Sequence, residues 1–181
     1  FTADFALAKG LAGRHPLIGL QAFSFPAKAH RDWPLENFAA FIGEVRTVHP
    51  SALFVVLGDQ LAAERAEALL AHYPDCVKVI AGQLGLRHSA ALMAGLDLYV
   101  GVDTGPTHIA GALGIPMVSM YHHQYPGRNL APLQNAACQV VEHPATLSGN
   151  SGELAGMEAI AASEIAQLAL ATLARSGLRN G

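Results

Sequence analysis

Residues 98–121 read strand, polar turn, short helix, strand, and no other stretch restricts the architecture of this chain as tightly. Leu98, Tyr99, Val100, Gly101 and Val102 form a run rich in β-formers without polar alternation, the pattern of a parallel strand covered on both faces. Asp103 and Thr104 can cap a helix, Gly105 permits a sharp turn, and Pro106 suits a first helical position, where a missing N–H costs nothing. Ile109 and Leu113 stand four apart and are expected to share the buried face, while Ala110, Gly111 and Ala112 allow close backbone packing. Gly114 followed by Pro116 ends the helix, and residues 117–121 form the returning strand.

A helix that begins just past the carboxyl end of a buried parallel strand turns unpaired N–H groups and the positive end of its dipole toward the crevice. An anion belongs at that point. The Thr104 and Gly105 amides are read as facing a phosphate. The Asp103 carboxylate would repel a phosphate unless directed elsewhere, so it is read as aimed at hydroxyls.

The rest of the chain repeats the alternation. Strands are predicted at 17–23, 52–57, 77–80 and 137–141, and helices at 35–48, 61–72, 86–95 and 153–175. Residues 1–14 read as a lead-in or linker helix ending at Gly13, residues 122–134 as irregular, and Ser148 to Gly152 as a loop. Six strands with helical crossovers specify an α/β fold with a doubly wound parallel sheet, in the order 3-2-1-4-5-6. In that order the first and fourth strands are neighbours. The loop carrying Ser24, Lys28 and Arg31 must then face residues 103–108 across the ligand crevice.

Composition narrows the classes that remain. A net charge of -3 and a sequence pI of 6.3, with no clustered Lys/Arg face, exclude a nucleic-acid footprint. Hydrophobic content of 51% and a mean hydropathy of +0.29 are high, yet no apolar run approaches the ~20 residues that span a bilayer. Buried parallel strands account for part of the excess, and a face meant for a partner domain for the rest. Cys76 and Cys138 lie beside different strands without redox or zinc spacing and read as reduced thiols. The chain opens on Phe1 and shows no signal peptide, which is read as the mark of a piece of a longer protein.

Arg31 and Lys28 can neutralise a diphosphate or stand as solvated surface charges; the predicted topology favours the first for Arg31 and leaves Lys28 even. Trp33 and Pro34 read as packing anchors for the loop. His108 can donate to a phosphate or a sugar hydroxyl, or cap and pack. His122 and His123 follow the fifth strand at the same edge, where one of them can touch ligand. No third ligand stands at metal spacing. His15, His49, His72 and His143 lie near element ends and are mostly expected at the surface. Phe23-Ser24-Phe25-Pro26 replaces any Gly-rich dinucleotide fingerprint after the first strand, and no nucleophile elbow or Gly-Lys-Thr phosphate loop occurs.

Val102-Asp103-Thr104-Gly105-Pro106-Thr107-His108-Ile109-Ala110, continued by Gly114-Ile115-Pro116, closely resembles the signature of glycosyltransferase family 9, the ADP-heptose:lipopolysaccharide heptosyltransferases. Arg31-Asp32-Trp33-Pro34-Leu35-Glu36-Asn37-Phe38 resembles its second motif, and Pro126-Gly127-Arg128-Asn129 its segment after strand five. The resemblance implies the carboxyl-terminal, Rossmann-like half of a GT-B enzyme, with residues 15–181 as the donor-binding domain and the acceptor domain absent from this chain. It places Arg31 where the family carries a lysine on the donor phosphates, which keeps the charge and changes its geometry. Thr104 and Gly105 would bind diphosphate through backbone amides, and Asp103 and His108 would contact sugar or phosphate. Gln60, or Asp59 beside it, falls where an acidic residue often meets the ribose. Ser24, Lys28, Arg31, Gln60, Asp103, Thr104, Gly105, Pro106 and His108 are thus the expected donor site.

The implied reaction is inverting transfer of heptose from ADP-heptose to the lipopolysaccharide inner core, without metal or cofactor, with Arg31 on the leaving diphosphate. The general base is implied in the other half, so this chain by itself is expected to bind donor without turnover. The implied setting is cytoplasmic, with peripheral docking of the parent enzyme on the inner membrane left open. A non-catalytic nucleotide-binding module and a nucleotide-sugar epimerase-like half are the alternatives.

Overall fold

The computed structural model describes residues 2–148 and 156–177. Among them, six short apolar segments form one parallel sheet: β1 (Leu17–Gln21), β2 (Leu53–Val56), β3 (Val77–Val79), β4 (Leu98–Val102), β5 (Met117–Tyr121) and β6 (Cys138–Glu142). Their order is β3-β2-β1-β4-β5-β6, the doubly wound arrangement expected from the alternation. Winding reverses between β1 and β4, which pair with Ile18 opposite Leu98 and Gln21 opposite Gly101. β1, β4 and β5 are buried along their whole length, as strands with helices on both faces must be.

The twofold side-chain alternation of the strands divides the core. One face gathers Ile18, Leu20, Phe54, Val56, Val100 and Val118. It is covered by α2 (Leu35–Val48), through Phe38, Phe41, Ile42 and Val45, and by α9 (Ala162–Ser176), through Ile165, Ala169 and Leu173. The other face carries Leu17, Leu53, Val55, Tyr99 and Met117. Against it pack α5 (Leu86–Met93), α6 (Gly105–Ala112) and the lead-in segment, whose helix α1 (Thr2–Ala8) and buried Leu11 dock on the same side.

Several expected boundaries move. The helix expected at 61–72 is two helices, α3 (Gln60–Arg65) and α4 (Glu67–His72), broken at Ala66, where φ −82° and ψ −7° interrupt the regular spiral. The first strand pairs only to Gln21, while Ala22 and Phe23 remain buried beyond it. The segment after β5 contains one turn of helix, α7 (Gly127–Leu130), and α8 (Pro144–Ser148) follows β6. The long carboxyl-terminal helix starts at Ala162, preceded by a 3₁₀ turn at Met157–Ala159; its expected first residues, 153–155, and the loop residues 149–152 lie outside the described residues. On α6 the buried positions are Thr107, Ala110 and Gly111, and Leu113 is 43% exposed. Ile109 packs half-buried on the core of this face, and Pro132 covers Gly111 so closely that a Cβ at position 111 would lie 2.2 Å from its ring.

Candidate functional site

Two segments far apart in sequence meet at the carboxyl edge, where β1 and β4 diverge. From β4 the chain enters α6 through Thr104, extended at φ −147° and ψ 174°, and Gly105 and Pro106 open the first turn. No atom lies within 4 Å of where a Cβ at Gly105 would be, so the turn is open on that side, while the Thr104 N–H, expected to face a phosphate, is directed back to Thr107 Oγ1 at 3.4 Å. Asp103 is 8% exposed beside them, and His108, on the same turn, brings Nε2 to 3.5 Å from its Oδ1.

From β1 the chain runs into a loop whose middle is a 3₁₀ turn at Pro26–Arg31. Asp32 braces it: one carboxylate oxygen accepts from the Ser24 N–H at 2.7 Å and lies 2.6 Å from the Ser24 hydroxyl, and the other accepts from Arg65 at 2.7 Å. The Arg65 guanidinium also stacks 4.0 Å from the Phe23 ring centre. Trp33, fully buried, meets Phe38 edge-on at 4.8 Å and donates its indole N–H to the Ile160 carbonyl at 3.0 Å. A loop held at three points can deliver one side chain across the crevice.

That side chain is Arg31. Its Nη1 donates to Asp103 Oδ2 at 2.9 Å, and its guanidinium carbon sits 3.7 Å from the centre of the Tyr125 ring. Both partners are largely withdrawn from water, the Arg31 side chain 14% and that of Asp103 8% exposed. Lys28 is exposed, with its ammonium 5.6 Å from the same Tyr125 ring. Two cations and a helix N-terminus therefore converge on one rim, with Asp103 as the carboxylate among them.

The expected site residues divide. Arg31, Asp103, Thr104, Gly105, Pro106 and His108 come together, with Lys28 at the margin. Ser24 does not join them; its hydroxyl is turned into the loop toward Asp32 and the Lys28 carbonyl, at 2.7 Å from the latter. Gln60 opens α3, so close to the next turn that a Cβ on Gly82 would meet its Oε1, while Asp59 caps that helix by accepting the Ala62 N–H at 2.9 Å. Asp103 faces Arg31 and His108 rather than empty space. Tyr125, the plate under Arg31, carries no sequence signal, because a ring in an irregular segment has no periodicity to mark it.

A cluster of imidazoles lies beyond Tyr125. His122 is buried, with the His30 ring edge-on at 5.2 Å and the His123 and His143 rings at 4.1 and 6.0 Å. Burial, followed by the charges of His123, His30, His143 and Arg31, pulls its pKa down to about 4, so the ring is neutral at pH 7. His143, expected at the surface, is instead fully buried: Nδ1 accepts the Ala145 N–H at 3.1 Å, so Nε2 carries the proton and donates to the Gly156 carbonyl at 3.0 Å. It ties the end of β6 to the approach of α9. A cleft of about 360 Å³ opens here, with His30, Asp32, His122, Gln124 and Glu158 on its walls. Among the described residues no group of three His, Cys, Asp or Glu side chains is placed to hold a metal ion.

Residues 4–150 match the family model described as glycosyltransferase family 9 (heptosyltransferase). The chain belongs to this family. It is 29% identical over 109 residues to the lipopolysaccharide core heptosyltransferase OpsX of Haemophilus influenzae, an alignment covering 60% of this chain and 31% of that protein. Its fold is that of a family 9 glycosyl transferase from Veillonella parvula, with a TM-score of 0.78 and 22% identity over 96% of this chain and 50% of that one. The Escherichia coli heptosyltransferase WaaC, solved with ADP, gives a TM-score of 0.72 at 20% identity over 94% of this chain and 48% of that one. The E. coli ADP-heptose lps heptosyltransferase II gives 0.72 at 18%, over 96% and 51%. This family 9 chain thus spans about half the length of those solved relatives and 31% of the curated one.

Proposed function

We propose that residues 15–181 are the donor-binding domain of a glycosyltransferase that takes ADP-heptose and transfers its heptose, with inversion, to the lipopolysaccharide inner core, residues 1–14 leading into it. One observation carries the reading: the Arg31 guanidinium lies against Asp103 at the first turn of α6, at the sheet's winding reversal. A pyrophosphate bound there would receive the Gly105 amide on one side and Arg31, with Lys28 behind it, on the other. Asp103 and His108 would meet the hydroxyls of the sugar.

The chemistry follows from where charge grows. As the anomeric carbon takes on oxocarbenium character, negative charge builds on the departing diphosphate, and donors fixed in advance at that point lower the barrier. The dipole of α6 contributes roughly 0.3–2 kcal/mol there. Arg31 adds charge-assisted hydrogen bonds of about 1.5–3 kcal/mol each. The base that deprotonates the acceptor would come from a second half of the enzyme, so this domain accounts for donor capture and leaving-group stabilisation. The reaction would run on the cytoplasmic side, with the core acceptor drawing the enzyme to the inner membrane as a peripheral protein. No helix among the described residues is long and apolar enough to cross a membrane.

Calorimetric titration of the chain with ADP tests the reading. Arg31→Ala is expected to weaken ADP about 10- to 150-fold, the equivalent of one charge-assisted hydrogen bond. Absence of ADP binding by the unmodified chain, or an affinity that Arg31→Ala leaves unchanged, would overturn it.

A further inference from the structure

A strand enclosed on both faces ordinarily holds only apolar side chains, yet β4 carries Tyr99, whose ring and hydroxyl are completely buried. A buried phenol needs a partner. Its oxygen lies 2.9 Å from Thr107 Oγ1, itself fully buried on the first turn of α6. Thr107 Oγ1 also stands 2.6 Å from the Val102 carbonyl, which can only accept. The single proton of the threonine hydroxyl therefore goes to Val102, and Tyr99 must be the donor in its bond with Thr107. The Thr104 N–H approaches the same oxygen at 3.4 Å. Thr107 Oγ1 thus donates once and accepts twice, and its rotor has one orientation left.

The bonded positions define what this does. Val102 is the last residue of β4, Thr104 precedes the first turn of α6, and Thr107 lies within that turn, so the hydroxyl closes the bend that carries the Gly105 amide. We propose that Tyr99 is a positioning residue for the donor pyrophosphate: by donating to Thr107 Oγ1 from beneath the sheet edge, it fixes the bend whose Gly105 amide grips the anion. Gly101 completes the device. A Cβ there would lie 2.9 Å from the Tyr99 oxygen, so the strand leaves room for this hydroxyl and nothing larger. Burial also pushes the phenol's pKa upward, which keeps it in the donating form.

The inference rests on the donor-binding reading, and one set of titrations separates the two. Tyr99→Phe keeps the ring that fills the core and removes only the donor. It is expected to unfold cooperatively and to lose about 3- to 10-fold in ADP affinity, the range for one buried neutral hydrogen bond. Adenosine, which has no phosphate to grip, should bind both proteins equally. Thr107→Ser, which keeps the hydroxyl, should hold ADP within about twofold of the unmodified chain, on the same scale. In a Thr107→Val background, adding Tyr99→Phe should cost no further ADP affinity. If Tyr99→Phe leaves the ratio of ADP to adenosine affinity unchanged, or weakens both in parallel, the positioning role is overturned while donor binding stands. Should the unmodified chain fail to bind ADP, the donor-binding reading itself falls.

Discussion

Trp33 offers the sharpest test of how the Arg31 loop is held. Its side chain is 1% exposed, packs edge-on against Phe38 and donates to the Ile160 carbonyl, so it fastens the loop to both α2 and the approach of α9. Truncation to alanine removes a large buried ring and leaves a cavity that rigid neighbours cannot fill, a change that costs about 3–5 kcal/mol. The lost hydrogen bond adds little. Ile160 O also accepts from Asn37 Nδ2 at 3.2 Å and keeps a partner. Trp33→Phe retains most of the apolar contact and is expected to cost about 1–2 kcal/mol. For a domain of this size, these losses correspond to melting shifts of roughly 6–20 °C for alanine and 2–8 °C for phenylalanine. Trp33 is the sole tryptophan, so urea titrations are best followed by far-ultraviolet circular dichroism, a signal common to all three proteins. A Trp33→Ala protein within about 1 kcal/mol of the unmodified chain, at the same denaturant slope, would refute the argument that the indole anchors the loop.

Three further outcomes follow from the geometry. Gly101→Ala would place its Cβ 2.7 Å from Gln21 Cβ and 3.1 Å from the Gln21 carbonyl oxygen, atoms of the paired strand that cannot retreat; a loss of about 1–3 kcal/mol in a thermal melt is expected. His122 binds its proton near pH 4 in the folded chain and near pH 6.5 when unfolded, so the unfolded state takes up more protons between those values. This group's contribution to stability is therefore whole above about pH 6.5, declines as pH falls toward 4 and levels off below, and His122→Gln should flatten that part of a melting-temperature profile. Asp103→Asn removes the ion partner of Arg31 and the one carboxylate facing the proposed anion. Calorimetry should therefore show ADP binding more tightly even as the melting temperature drops, opposite signs that a general loss of folding cannot produce.

The sheet was legible wherever a strand is buried on both faces. β4 and β5 fall at 98–102 and 117–121 as the apolar runs predict, and the order of strands follows from their alternation with helices. From that order came the meeting of Arg31 with the α6 turn, although Arg31 and Asp103 stand 72 residues apart. What local pattern could not show are the contacts that decide orientation. Ile109 and Leu113 have helical spacing, yet Ile109 packs on the core while Leu113 is exposed, and Pro132, arriving from a later loop, covers Gly111. His143 looks like any polar residue at a strand end until Gly156 is brought beside it. The place of Ser24 in the crevice loop does not show that its hydroxyl is bonded within that loop.

The pairing of Arg31 with Tyr125 bears on which cation this position can carry. A guanidinium is flat and gains from lying on an aromatic plate, whereas an ammonium on a flexible stem needs none. If relatives carry lysine at the position of Arg31, as the motif resemblance implies, exchanging one cation for the other would be neutral only where the residue at 125 changed in company with it. The ring and the arginine act as one unit, and a variant that kept one without the other would carry a mismatched pair.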